Sequence, residues 1–422
     1  MKPVSTLLLA MATLLPLAPA QAQSGEPRTD WSDQKLHDEA VRLMDSFLTI
    51  DTHMDVPIVL RRPDFDISEA HTWQDDASQV DFPRMDEGHL DGGFFVVYVG
   101  QGPLTPEGRK AAIEEGFSIA HTIHSVAEAH PDECGIATTP EEAEKLREDG
   151  KHVIFMGIEN GYTIGQDIGL LQDYYDLGVR YFGITHSSNN DLADSSTDKE
   201  GELHFGLSDL GRAAVEECNR LGIMVDISHA GDKTVYDILE HSKAPIIASH
   251  SGCYACYPHP RSLNDALLKA IAKRGGVVQM NVFSGYMMDP QDNPERSQAY
   301  QDYFQKYHDW ESLSDAEKAE ATEARIEIER QFPKPLVPLK EVVDHIDHMV
   351  SVMGIDHVGI SGDFDGGGGA EDLMSVGDYV NVTVEMLRRG YTEDDLRKFW
   401  GGNAMRVLSE ARRVADEMAQ AS

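Results

Sequence analysis

Eight short runs of apolar and β-branched residues recur along the chain and alternate with stretches of helical character. Such near-continuous apolar runs are typical of strands buried on both faces, as in a parallel sheet. Intervening helical patterns, for example Asp209 to Leu221, indicate repeated β-α units. Eight units predict a (β/α)8 TIM barrel in the α/β class. The runs occupy residues 47–57, 92–99, 152–159, 179–186, 223–229, 245–250, 276–282 and 357–363.

The first 22 residues are expected to lie outside this fold. Lys2 is followed by an apolar stretch over residues 7–15 and by the small-x-small pattern Ala20-Gln21-Ala22. This pattern predicts a secretory signal peptide over residues 1–22, and therefore an exported protein that is periplasmic or secreted. Residues 23–422 are predicted to form a single catalytic barrel. No later segment reaches the roughly 20 apolar residues of a transmembrane helix, so we expect no such segment.

A charged segment over about residues 286–335 does not fit a minimal barrel. Within it, Ser314-Asp315-Ala316-Glu317 has the capping-box pattern that begins a helix, and good helix formers follow to Glu329. We predict a helical insertion after strand 7 of the barrel. It could act as a lid, serve as a subunit contact, or be no more than a solvated surface excursion.

The formal net charge of the chain is −37. No basic stripe offsets it, so a protein that binds the nucleic-acid backbone is excluded. The acidic excess by itself indicates a well-solvated surface with some attraction for cations.

The four cysteines, Cys134, Cys218, Cys253 and Cys256, are consistent with none, one or two disulfides. Cys253-x-x-Cys256 could be a redox pair or half of a zinc site. The sequence contains no second Cys-x-x-Cys to complete a structural zinc site, and the spacing alone carries little information.

The carboxyl ends of the predicted strands carry an unusual set of polar side chains, and this is where barrel enzymes place their catalytic groups. Buried imidazoles and carboxylates are costly without partners, and a metal centre is a common partner for all of them. Nitrogen and oxygen ligands without thiolates suit zinc or another first-row ion. The number of ligands favours two metals with Glu159 as the bridge. The residues are His53, Asp55, Glu159, His186, His229, His250 and Asp363.

Two pairs of histidines and one run of glycines could also be read as binding sites, but a structural role explains each of them more simply. His121 with His124, and His345 with His348, have helical spacings that could bind metal, but solvated helix faces explain them more simply. The run Gly366 to Gly369 lacks the Gly-Lys-Ser/Thr of a phosphate loop, so we expect a flexible loop at the barrel mouth.

Taken in order, the motifs of the chain resemble the membrane (renal-type) dipeptidases, zinc peptidases of the amidohydrolase superfamily. The resemblance extends over nearly all of the mature chain, from Asp51 to Val407. It rests on the segments Asp51–Pro57, Gly157–Gly161, Thr185–Asn189, Asp226–His229, Ser249–Ser251, His259–Leu263, Gly362–Gly366 and Trp400–Val407.

The resemblance implies two Zn²⁺ ions per subunit, bridged by Glu159 and a water or hydroxide. One ion would be held by His53 and Asp55, and the other by His229 and His250. His186 would lie beside the scissile carbonyl and Asp363 would handle protons, so that both are catalytic and contact the substrate. Arg261 would bind the free carboxylate of the substrate. A homodimer is a further implication.

The sequence therefore predicts an exported zinc-dependent dipeptidase that cleaves dipeptides with a free C-terminal carboxylate through a metal-bridging hydroxide. One alternative is a related binuclear amidohydrolase that acts on another amide, a lactone or a β-lactam. Another is a binding protein that has kept the barrel and lost the chemistry. Asn160, Cys253 and Cys256 depart from the usual family pattern near the expected substrate site, and they leave the side-chain preference open.

Overall fold

The computed structural model describes residues 25–289, 293–307 and 312–421. Ten strands run through this part of the chain. Their bounds are β1 Ile50–Met54, β2 Gly92–Tyr98, β3 Cys134–Ile136, β4 His152–Glu159, β5 Val179–Gly183, β6 Met224–Asp226, β7 Ile247–Cys253, β8 Ser262–Leu263, β9 Val277–Asn281 and β10 Val358–Ser361.

Eight of the strands form a parallel barrel in the order β1-β2-β4-β5-β6-β7-β9-β10. A parallel bridge between Met54 and Phe364, together with a 2.8 Å hydrogen bond from Asp55 N to Phe364 O, joins the last strand to the first. The predicted (β/α)8 barrel is thus confirmed. Seven of the barrel strands fall within the predicted runs, and β7 continues past the end of its run, at residue 250, to Cys253. The two short strands β3 and β8, which pair with β4 and β7, were not predicted.

Sixteen α-helices cover the barrel and its ends in the described residues. They are α1 Asp33–Met44, α2 Val56–Leu60, α3 Trp73–Asp76, α4 Phe82–Glu87, α5 Pro106–Ala129, α6 Pro140–Glu148, α7 Leu170–Asp176, α8 Asp209–Leu221, α9 Asp232–His241, α10 Asp265–Lys273, α11 Pro294–Lys306, α12 Asp315–Gln331, α13 Leu339–Met353, α14 Tyr379–Arg389, α15 Glu393–Arg397 and α16 Asn403–Ala421.

The barrel interior is filled by aromatic side chains below the strand ends. The ring of Phe94 stacks on that of Phe155 at 4.8 Å and lies 5.0 Å from that of Tyr181. All three side chains are fully buried. Because layers of side chains fill a barrel of this kind, the polar groups at the strand ends pack against a closely packed aromatic layer.

The stretch between β9 and α13 contains the helices α11 and α12. Ser314 caps α12 with the predicted capping box: its hydroxyl accepts from Glu317 N, and the Glu317 carboxylate accepts from Ser314 N. The two helices are joined by an ion pair between Arg296 and Glu329 at 2.7 Å. A role for this stretch as a lid or a subunit contact stays a prediction.

The predicted signal peptide, residues 1–22, lies outside the described residues. Within the part of the chain that the structure describes, no helix has both the length and the apolar character needed to cross a membrane.

Two of the structural explanations are wrong. His345, on α13, is buried and does not lie on a solvated helix face. The Gly366–Gly369 loop lies at the barrel mouth but is held at several points: Gly369 N donates to Val282 O, and Lys334 Nζ donates to the carbonyl oxygens of Gly367 and Gly368. These hydrogen bonds hold the loop in place, so it is not the flexible loop that the sequence predicted.

Candidate metal centre

His53 and Asp55 come together at the end of the first strand. His53 lies within β1, and the strand ends at Met54, so that Asp55 takes the N-cap position of α2. Nε2 of His53 is 3.5 Å from Oδ2 of Asp55. The two side chains that the family resemblance assigns to one ion thus lie side by side, and the turn of the chain at Asp55 completes the pair.

Glu159, the last residue of β4, lies between two groups of ligand atoms. Its Oε2 is 3.6 Å from Nε2 of His53. Its Oε1 is 2.9 Å from Nε2 of His229 and 3.3 Å from Nε2 of His250. The two oxygens of one carboxylate therefore face different partners, as a bridging ligand requires.

The protonation states in this cluster follow from burial and from the central carboxylate. Burial lowers the pKa of His229 and of His250 well below the usual value, which favours the neutral imidazoles that metals bind. Burial would raise the pKa of Glu159, but His186 and His53 nearby hold it well below its ordinary range. Burial acts against a charged His53 as well, yet Glu159 and Asp55 raise its pKa well above the usual value.

The donor set fits divalent metal ions. Nε2 of His53 and Oδ1 of Asp55 are buried and have no hydrogen-bond partner among the residues that the structure describes. Unpaired buried polar atoms are costly, so their convergence on one point is evidence for a bound cation. The imidazoles and carboxylates of this cluster are the ligands of zinc and related ions. His53, Asp55, Glu159, His229 and His250 are the residues that would hold such ions.

A set of polar groups behind the histidines orients the rings. The Tyr181 hydroxyl lies 3.0 Å from Nδ1 of His53, and Oγ of Ser249 lies 2.9 Å from Nδ1 of His250. Asp226 accepts a 2.7 Å hydrogen bond from the Ser249 hydroxyl. Contacts of this kind fix the orientation of metal-binding imidazoles. Sequence reasoning left Asp226 unassigned, although its position at the carboxyl end of β6 was a usable signal.

Two of the predicted site residues, His229 and Asp363, adopt a left-handed backbone conformation that is unusual for residues other than glycine. The φ angles are 68° at His229 and 53° at Asp363. Such conformations cost free energy and persist where the surrounding structure imposes them, commonly at functional sites.

The other predicted site residues surround the cluster. Nε2 of His186 is 3.8 Å from Oε1 of Glu159, and its ring packs 4.3 Å from that of His229. Asp363 groups with His53 and Asp55, all with ligand atoms within 4.8 Å of one another. Burial raises the pKa of Asp363 to about 6, and its Oδ2 accepts a 3.1 Å hydrogen bond from the Asn281 amide.

Arg261 lies on the loop between β7 and β8 and is buried. Its Nη2 donates to the carbonyl oxygen of His250 at 3.0 Å, while its Nε has no hydrogen-bond partner among the described residues. The guanidinium group is 5.5 Å from the ring of Tyr286. The structure therefore brings all of the predicted site residues to the same mouth of the barrel.

Comparison with known proteins is decisive at this point. The family model for membrane dipeptidases, peptidase family M19, matches residues 37–422. The chain belongs to the membrane dipeptidase family. It is a hydrolase of the metallopeptidase class, and the matched region includes the whole barrel and the candidate metal centre.

Individual relatives agree with this assignment. Dipeptidase tcpJ of Claviceps purpurea is 30% identical over 347 residues, which cover 81% of this chain and 71% of that protein. The structure of the probable dipeptidase PvdM from Pseudomonas aeruginosa superposes with a TM-score of 0.77 at 30% identity, covering 90% of this chain and 99% of that one. Dipeptidase AC, a metallopeptidase, gives a TM-score of 0.68 at 25% identity, with 86% and 98% covered.

Asn160, which follows the central glutamate of this dipeptidase, does not extend into the mouth. The residue is fully buried with a φ of 81°. Its amide donates to Val99 O at 3.0 Å, and its Oδ1 accepts from the Asn190 amide at 3.0 Å. The Asn160 side chain ties the end of β4 to neighbouring loops, and its influence on substrate preference stays a prediction.

The cysteines of this dipeptidase are all free thiols. Cys134, Cys218 and Cys253 are buried, and Cys256 is exposed. Of the pairings that the sequence left open, the structure has none.

Proposed function

We propose that the chain is an exported zinc-dependent dipeptidase that hydrolyses the peptide bond of dipeptides carrying a free C-terminal carboxylate. The observation that carries the proposal is the position of Glu159, whose two oxygens face His53 on one side and His229 with His250 on the other. This arrangement suits two Zn²⁺ ions per subunit, with Glu159 as the shared ligand.

When bound, the metal pair would supply a hydroxide nucleophile at neutral pH and polarise the scissile carbonyl. His53 and Asp55 would hold one ion, and His229 and His250 the other. The absence of thiolates from this group is compatible with zinc but also with other first-row ions, so metal content is part of the test.

Arg261 is the group that would select the substrate's carboxylate. Its bond to His250 O uses one nitrogen of the guanidinium and fixes the side chain beside the metal centre. The planar guanidinium retains N–H groups that match a carboxylate. A substrate anchored in this way presents the peptide bond next to its terminal carboxylate at a fixed distance from Glu159, which selects that bond for cleavage.

His186 and Asp363 supply the remaining chemistry. Ser187 Oγ lies 2.8 Å from Nδ1 of His186, which leaves Nε2 to donate a hydrogen bond to the carbonyl oxygen as negative charge develops there. Asp363 takes the proton from the attacking water and returns it to the leaving amine as the C–N bond breaks. A carboxylate beside the attacking water can make both transfers.

The test is a kinetic screen of dipeptides in both stereochemical series, with metal content measured on the same sample. We expect hydrolysis that is lost on chelation and restored by Zn²⁺. An Arg261→Lys variant should raise KM for dipeptides, whereas Arg274→Lys, at the end of α10, should behave as wild type. Absence of metal-dependent cleavage for every dipeptide would contradict the proposal.

Export and assembly are tested separately. Fusing residues 1–22 to a reporter should direct it out of the cytoplasm, and a fusion lacking them should stay inside. The homodimer implied by the family resemblance predicts twice the chain mass in light scattering. A reporter retained with the leader would overturn the export proposal, and a monomeric mass would overturn the dimer.

A further inference from the structure

We propose that Cys253, Cys256 and His348 form a second zinc site, separate from the catalytic centre. The three residues present their two sulfurs and a ring nitrogen within 4.8 Å of one another. Around a tetrahedral zinc ion, thiolate and imidazole ligand atoms lie roughly 3.5 to 3.8 Å apart. Small side-chain rotations therefore suffice to close the group on one ion.

The backbone brings the two thiols together. Cys253 is the last residue of β7, and the chain turns over the next three residues, so that Tyr257 N donates to Cys253 O at 3.3 Å. A second hydrogen bond of 3.0 Å, from Tyr254 N to Leu263 O, fastens this turn to β8. A turn held at both ends presents the two sulfurs as a preformed pair, as Cys-x-x-Cys does in zinc sites.

The third ligand comes from a different element and is itself oriented. His348 lies on α13, and its Nε2 is 2.8 Å from Oδ1 of Asp265 at the start of α10. A histidine with one ring nitrogen bonded to a carboxylate can offer the other to a metal, and such carboxylates are common behind zinc ligands. The sequence analysis placed His348 on a solvated helix face. Since His348 is far from Cys253 and Cys256 along the chain, their spacing gives no sign that the three residues meet.

A metal ion at this site would join α13 to the loop that carries Arg261. Cys253 pairs with Leu263 and Gly252 with Ser262 in the short parallel ladder between β7 and β8. Arg261 lies between the turn and this ladder. The proposed ion is therefore structural: it holds the loop beside the catalytic centre and takes no part in the reaction.

Cobalt substitution tests the proposal on the full chain, independently of any peptidase activity. Co²⁺ bound to thiolates gives a charge-transfer band in the near ultraviolet, which the nitrogen and oxygen ligands of the catalytic centre do not produce. We expect this band in the wild type, and its loss in Cys256→Ser and His348→Ala. Cys134→Ser, which changes a cysteine distant in sequence from the cluster, should keep it. Zinc content should fall by about one equivalent per chain in the first two variants.

Two results would overturn the proposal. One is wild-type protein that takes up Co²⁺ without the thiolate band. The other is a thiol titration of the unfolded, unreduced protein that detects two free thiols, which would identify Cys253 and Cys256 as a disulfide. Cys256 is exposed and His348 is half-buried, so both variants should fold; normal circular dichroism is the check.

Discussion

Oε1 of Glu159 lies 2.9 Å from Nε2 of His229. Both oxygens of the carboxylate face candidate metal ligands, since Oε2 lies near His53. Replacing Glu159 with Gln keeps the size of the side chain but substitutes an amide nitrogen for one of the oxygens. We expect metal content to fall and kcat/KM to drop by at least about 100-fold, more than the 10- to 100-fold typical of outer contacts.

The matched control for this change is Glu148→Gln at the exposed end of α6, which should retain both metal and activity. Metal analysis and dipeptide kinetics on the same preparations give the measurement. Full metal occupancy with wild-type turnover in Glu159→Gln would show that the carboxylate is not a ligand.

Substitutions of the residues that hydrogen-bond to the histidines, directly or through Ser249, should each weaken a different one of the two proposed metal positions. Asp226→Asn weakens the hold on Ser249 and therefore on His250, whereas Tyr181→Phe removes the contact to His53. We expect each to lower the affinity for one metal by about 10- to 100-fold. Titration with a chelator should show one weakened site in each variant.

The control is Asp237→Asn on α9, a buried carboxylate that is paired with Lys233 and is not connected to either histidine. Equal loss of both metals in all three variants would indicate general destabilisation and contradict the assignment.

The fold and the meeting of the strand-end side chains could be predicted because both follow from a local rule. Parallel strands of a barrel end at the same mouth, so polar residues at the ends of eight apolar runs must meet there. His53, Glu159 and His250 do lie together in the structure.

The remaining features depend on contacts between distant parts of the chain. Tyr181 lies inside an apolar strand, and nothing in the local pattern shows that its hydroxyl reaches His53 once the barrel closes. The meeting of His348 with Cys253 likewise depends on how α13 packs beside β7, which no spacing in the sequence reveals.

Gly366 lies against two carboxylates of the candidate metal centre. A Cβ added at this residue would lie 1.9 Å from Oδ2 of Asp55 and 2.8 Å from Oδ1 of Asp363. Gly366→Ala should displace both carboxylates, which would lower metal content and reduce kcat by about 10-fold or more, since small misplacements of reacting groups are costly.

Gly100→Ala is the control, because its added Cβ meets nothing closer than the Tyr98 hydroxyl oxygen at 3.6 Å. Metal content and kcat should match the wild type there. If Gly366→Ala also keeps both, the loop is able to move aside and Asp55 does not depend on it.

Lys334, three residues after the end of α12, contacts the Gly366–Gly369 loop. Its Nζ donates to Gly367 O at 2.7 Å and to Gly368 O at 2.8 Å, and Gly368 N in turn donates to Asp363 O. Burial lowers the pKa of Lys334 to about 8, although Glu329 and Asp363 act in the opposite direction. A lysine with a lowered pKa in the folded state binds its proton more weakly there than in the unfolded chain.

The sign of the pH dependence follows directly. Below about pH 8 the lysine is protonated in both states, and above its ordinary value of 10.5 it is neutral in both. Between these limits the unfolded chain holds more protons, so the free energy of unfolding should rise with pH relative to Lys334→Met. Urea unfolding of both proteins across this window measures the difference. Lys340→Met, exposed on α13, should follow the wild type, and a Lys334→Met curve parallel to it would contradict the lowered pKa.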